Sequence, residues 1–149
     1  MQLSEEGAIQ TFKRPGIGFE EIIVGVVGAL VSTETGEAVM YGLFYAQDRG
    51  TLFCGPNTAV YTGMIVGQNA RQGDIDVNVC RQKHLTSIRN AAGAETAMKL
   101  TSMRTLTLEE CLEFIDDDEL LEITPKNLRM RKRILDHNQR SRANRQNNG

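Results

Sequence analysis

Apolar and polar positions along the chain change rhythm several times, and each change marks an element. Residues 22–31, IIVGVVGALV, are apolar without interruption, as a strand buried on both faces is. The run 38–46, AVMYGLFYA, is apolar on both alternating faces, which predicts a central strand paired with 26–32 across the turn Thr33-Glu34-Thr35-Gly36. Short strands follow at TLFC and at 60–66, VYTGMIV, with Asp48-Arg49-Gly50 and Gly55-Pro56-Asn57 as the intervening turns. Ile75, Val77 and Val79 then alternate with Asp74, Asp76 and Asn78, placing three apolar side chains on one strand face and three polar ones in water.

The rhythm becomes helical once. Leu108, Cys111, Leu112 and Ile115 fall at i, i+3, i+4 and i+7, behind a capping box of Thr107 and Glu110 and a staple of Leu106 on Cys111. Asp116, Asp117 and Asp118 sit at the carboxyl end of that helix, where the macrodipole disfavours negative charge by roughly 0.3–1 kcal/mol per exposed group. A neighbouring basic element is the simplest compensation. Leu120–Thr124 and Leu128–Arg133, joined by Pro125-Lys126-Asn127, read as a hairpin with Leu128 and Met130 inward and Arg129, Arg131 and Arg133 on the outer face. The expected fold is therefore α+β: a mainly antiparallel sheet or partly closed barrel, one helix at about 107–115, and a C-terminal hairpin with a basic tail. The expected organisation is a leader or linker over 1–24, one compact domain over 25–135 and a basic polar tail over 136–149.

Charge sharpens this picture. Eight basic residues against Asp136 alone give positions 126–149 a charge of +7, so the net −2 leaves −9 on the first 125 residues. A basic tail on an acidic body favours a polyanion at one end. Residues 81–96, RQKHLTSIRNAAGAET, are basic, small and thinly apolar, and read as a long mobile loop with a basic root. The outer arginines suit phosphate contact or pairing with the acidic block, and the two roles are compatible on opposite edges. With five Phe, three Tyr and no Trp, stacking on aromatic platforms has little support, so contact with RNA is expected to be mainly electrostatic.

Several chemistries have no foothold. There is no GxxxxGK[ST] loop, and the Gly16-Gly18 and Gly25-Gly28 pairs do not complete a dinucleotide fingerprint. Asp74-x-Asp76-x-Asn78 begins like a calcium loop, but Val79 and Leu85 stand where Gly and Glu are needed. The run Asp116 to Glu119 could in principle hold magnesium for a two-metal centre, but consecutive carboxylates on a turn rarely converge on one ion without help from elsewhere, and neither His84 nor His137 stands near a nucleophile with an orienting acid. Cys54, Cys80 and Cys111 form no CxxC pair, which points to a reduced, cytoplasmic chain, and the 22–31 run is half of what a membrane span needs.

The segments Gly28 to Asn90 and Thr107 to Leu135 resemble the carboxy-terminal region of BipA/TypA, a family of bacterial ribosome-associated translational GTPases related to elongation factor G. The resemblance covers about 28–142, and its most specific pieces are Asp48-Arg49-Gly50, the YxGMIVG of Val60 to Gly67, Leu85-Thr86-x-x-Arg89, and Phe114 to Leu120. Residues 1–21 do not match the family. The resemblance implies a non-catalytic module that binds the ribosome, touching large-subunit rRNA and the acceptor end of A-site tRNA, in translation or ribosome assembly under stress. Arg81, Lys83, His84, Arg89 and Asn90 on the loop, and Arg129, Arg131, Lys132 and Arg133 on the basic strand, carry over as RNA contacts. GTP and magnesium belong to the family's GTPase domain, so this chain is expected to need no cofactor and to act as a monomer away from membranes. The competing reading is a protein-interaction module whose acidic 109–122 surface docks a basic partner.

Overall fold

The computed structural model describes residues 10–13, 27–83, 99–101 and 103–147. Its centre is a four-stranded sheet in the order β4-β6-β2-β7, formed by β4 (Gly50–Leu52), β6 (Ile65–Gln72), β2 (Val27–Ser32) and β7 (Ile75–Val77). All pairings are antiparallel except β2 with β7. β2 is apolar on both faces because both are covered. Leu30 joins one core with Leu52, Val66 and Val79, while Ala29 and Val31 join a second with Ile65, Cys111, Ile115, Leu121 and Met130.

The chain leaves β6 at Gly73 and crosses the end of β2 to reach its far edge. A Cβ on Gly28 would lie 1.6 Å from the Gly73 carbonyl oxygen, so only glycine permits that crossing. Asp74 fastens it, accepting from the Ala29 N–H at 2.9 Å. A two-stranded ribbon, β3 (Gly36–Glu37) with β5 (Ala59–Val60), borders this core.

The expected central strand at 38–46 is a helix, α1 (Met40–Ala46), followed by a 3-10 turn at Gln47–Arg49. Its buried residues, Gly42, Leu43 and Ala46, follow helical spacing, and the outward Tyr and Phe had disguised that period as a run apolar on both faces. A Cβ on Gly42 would meet the Val79 carbonyl oxygen at 2.5 Å, so this glycine sets how closely the helix lies on the chain after β7.

The second face carries α2 (Leu108–Phe114) and a three-stranded sheet in the order β1-β8-β9, formed by β1 (Gln10–Lys13), β8 (Glu119–Ile123) and β9 (Leu128–Lys132). α2 and the hairpin stand where the sequence pattern put them, and the Thr107 hydroxyl accepts from the Glu110 N–H at 3.2 Å. Leu108 is 38% exposed, so the buried stripe of α2 rests on Cys111 and Ile115. Gln10–Lys13, assigned to the leader, pairs antiparallel with β8. The fold is α+β; among the described residues the sheets are open and no barrel closes. The tail also holds an unforeseen helix, α3 (His137–Asn147), begun by Asp136, whose carboxylate accepts from the Gln139 N–H at 2.9 Å.

Candidate nucleic-acid interface

The basic hairpin strand is held inward. Lys132, 2% exposed, is ion-paired with Asp74, with Glu119 at 2.8 Å and with Asp118 at 3.0 Å. Burial alone would lower the pKa of this ammonium, but the surrounding carboxylates outweigh it and raise it above the ordinary lysine value. Glu119 shows the opposite balance: burial raises its pKa despite Lys132. Inward placement follows from strand alternation, since a row that starts with Leu128 and Met130 reaches Lys132 next, directly across from Glu119.

The other face of β9 is a second ion-pair cluster. Glu122, opposite Arg129 in register, lies 3.4 Å from the Arg129 Nε and 2.6 Å from the Arg131 Nε. The Tyr61 phenol lies beside this cluster, its pKa raised by burial and by the Glu122 carboxylate. The expected outer face is thus corrected at two positions: Arg129 is 9% exposed and Arg131 half-buried, while Leu128, expected inward, is 40% exposed at the hairpin's tip. β9 is also paired along its second edge, opposite β8: the Met64 backbone bridges Arg131 and the Gly63 carbonyl accepts from the Lys132 N–H at 2.8 Å, drawing the chain before β6 against the strand.

These contacts answer the charge conflict at the end of α2. Asp118 binds Lys132, the Arg133 guanidinium donates to the Asp117 carbonyl at 2.9 Å, and the Glu119 carboxylate accepts from the Asp116 N–H at 2.7 Å. The acidic surface is correspondingly reduced, with Asp118, Glu119 and Glu122 all engaged within the fold.

The polar face of β7 is likewise occupied rather than simply wet. Asp76 binds His137 and, at 3.1 Å, Arg140 of α3, and Arg140 also donates to the carbonyls of Ile134 at 3.1 Å and Leu135 at 2.5 Å. Among the described residues no cluster of His, Cys, Asp and Glu is arranged to hold a metal ion, and no helix is long and apolar enough to cross a membrane.

Of the candidate RNA contacts, Arg81 and Arg133 are exposed and Lys83 is half-buried, whereas His84, Arg89 and Asn90 lie outside the described residues, as does most of the 81–96 loop. Arg129, Arg131 and Lys132 are gathered into the two carboxylate clusters, and Arg81 stands elsewhere, over the Tyr41 ring with its Cζ 5.8 Å from the centroid. Arg142 and Arg145 of α3 add two exposed cations that the candidate set had omitted, though they were visible in the sequence as part of the basic tail.

Comparison with known proteins follows the same outline. Residues 27–137 match the TypA/BipA C-terminal domain. The chain is 51% identical over 118 residues to the large ribosomal subunit assembly factor BipA of Buchnera aphidicola, and 49% identical over 118 residues to that of Escherichia coli K12. The Haemophilus influenzae protein of the same name is 47% identical over 118 residues. Each alignment covers 79% of this chain, which spans about a fifth (19%) of the length of the relatives. With the matched segment running from β2 through α2 to β9, the chain belongs to the TypA/BipA C-terminal domain family.

Proposed function

We propose that this chain is a non-catalytic ribosome-binding module of a large-subunit assembly factor, contacting large-subunit rRNA and the acceptor end of A-site tRNA in translation or ribosome assembly under stress. The observation that carries the reading is the exposed Arg81 at the root of the basic 81–93 segment, on a domain that relatives named as large ribosomal subunit assembly factors share. Arg81, Lys83, His84, Arg89 and Asn90 form the probing side of the contact. Arg133, with Arg142 and Arg145, forms an anchoring side, while Arg129, Arg131 and Lys132 hold the strand that presents it. GTP and magnesium are assigned to the remaining four-fifths of the relatives, and the module is a monomer of the cytoplasm.

Co-sedimentation of the 149-residue chain with large ribosomal subunits over a salt series tests this. Binding should weaken with salt, with a slope of about −0.7 to −0.9 per phosphate contact, and the double variant Arg81→Ala, Lys83→Ala should bind several-fold less tightly. No binding at low salt, or binding indifferent to that variant, would overturn the reading. A partner that survives nuclease treatment would favour the protein-docking alternative, to which Glu109 and Glu113 still offer exposed charge.

A further inference from the structure

Few as they are, the aromatic residues are not scattered. Tyr41, Phe44 and Tyr45 share α1, and Tyr41, Tyr45 and Arg49 stand at i, i+4 and i+8, one stripe along the helix and its 3-10 extension. Tyr45 is 49% exposed yet fixed in orientation: its ring meets Tyr41 edge to face at 4.9 Å and Phe44 at 5.3 Å. Beside it opens a cleft of about 510 Å³ walled by Gly42, Asn78, Arg49 and Arg81 as well as Tyr45. That size is within the ~300–1,000 Å³ of small-ligand clefts.

The charge of the cleft favours an anion. Two carboxylates, Asp48 and Asp76, also line it, but Asp76 is held by Arg140 and His137, so Arg49 and Arg81 outweigh Asp48. We propose that this cleft binds one unpaired nucleotide of an RNA strand, the base stacked on Tyr45 and the flanking phosphates met by Arg49 and Arg81. An exposed, oriented aromatic face recognises a base only when pairing does not hide it, and cations on both sides track the backbone. Asn78 supplies a polar edge: its Oδ1 accepts from the Cys80 N–H at 3.0 Å, which leaves its amide donors for the base. The inference rests on the RNA-binding reading above and narrows it, from phosphate contact alone to capture of a splayed base.

The chain has no Trp and three Tyr, so intrinsic tyrosine emission reports stacking directly. The full chain would be titrated with a short unstructured RNA strand and with a duplex of the same sequence, as parent, Tyr45→Ala and Tyr45→Phe, each also sedimented with large subunits. The strand should quench the parent; Tyr45→Ala should bind it about 5- to 100-fold more weakly while binding the duplex like the parent, and Tyr45→Phe should retain the affinity. Equal binding of the strand by parent and Tyr45→Ala, equal losses on strand and duplex, or a Tyr45→Phe defect matching that of Tyr45→Ala would overturn the stacking site. If subunits are still bound in any of those cases, only the cleft is refuted; if neither RNA nor subunits bind, the proposed function falls with it. Because Tyr45 is half exposed, unchanged far-ultraviolet dichroism of Tyr45→Ala verifies that the loss is not one of folding.

Discussion

Lys132 is the residue on which the hairpin turns. Removing its charge would leave Asp74, Asp118 and Glu119 facing one another, and breaking a buried ion pair from one side costs about 3–5 kcal/mol. Urea unfolding of Lys132→Met at neutral pH should show a loss of that size. The pH dependence follows from the direction of the shifts. A raised lysine pKa gives stability that is complete below the unfolded value and lost only as pH climbs through the folded one, so the parent should weaken above about pH 10.5 and the variant lack that component. At the acid end, Glu119 already has a raised pKa, and without Lys132 it rises further; the variant's deficit should therefore shrink as the pH falls toward 5. Cys54 gives a second residue-scale test: burial, with Cys80 adding to it, lifts its thiol from 9.0 to about 11. At pH 9 iodoacetamide should alkylate Cys54 roughly 50-fold more slowly than an unperturbed thiol, and the fold should lose stability between pH 9 and 11 as the unfolded thiol ionises first.

Elements were legible in the sequence where two local signals agreed. α2 carries both a cap and a 3.6-residue period, and Thr107→Ala should lower stability by about 1 kcal/mol, measured as a fall in melting temperature. The hairpin was set by Pro125-Lys126-Asn127 between strand-like runs, and the Thr124 hydroxyl accepting from the Asn127 N–H at 2.9 Å closes the turn. α1 was obscured because its outward positions are aromatic rather than charged; only Gly42, Leu43 and Ala46 keep the helical period. α3 lacked an apolar stripe altogether, and its attachment depends on Asp76, 64 residues before Arg140. Contacts at that separation leave no local trace. The cleft beside α1 was hidden for the same reason, since Arg81 meets Tyr41 only after the helix and β7 are in place.

Across the whole molecule the charge is less divided than the sequence suggests. The +7 tail folds against acids from several parts of the chain: Asp74 from the crossing after β6, Asp76 from β7, Asp118 from the turn before β8, and Glu119 and Glu122 from β8 itself. Four of its eight cations, Arg129, Arg131, Lys132 and Arg140, are committed in this way. If subunit binding is electrostatic, the tail should contribute about 3–4 to the slope of log affinity against log salt, not the roughly 6 of eight free cations, and the triple variant Arg133→Ala, Arg142→Ala, Arg145→Ala should remove about 2–3 of that contribution. Salt-dependent sedimentation measures the difference.

Asp76 links the two ends of this arrangement, because it lines the cleft beside Tyr45 and also anchors α3. The C-terminal helix is thus the counter-ion of a wall to which it does not itself belong. A version of the chain cut before His137 would expose a bare carboxylate to any incoming strand, and would repel RNA at a point sixty residues upstream of the cut. Trimming the polar tail to obtain a tidier domain would therefore alter the chemistry of a surface that the trimming never touched.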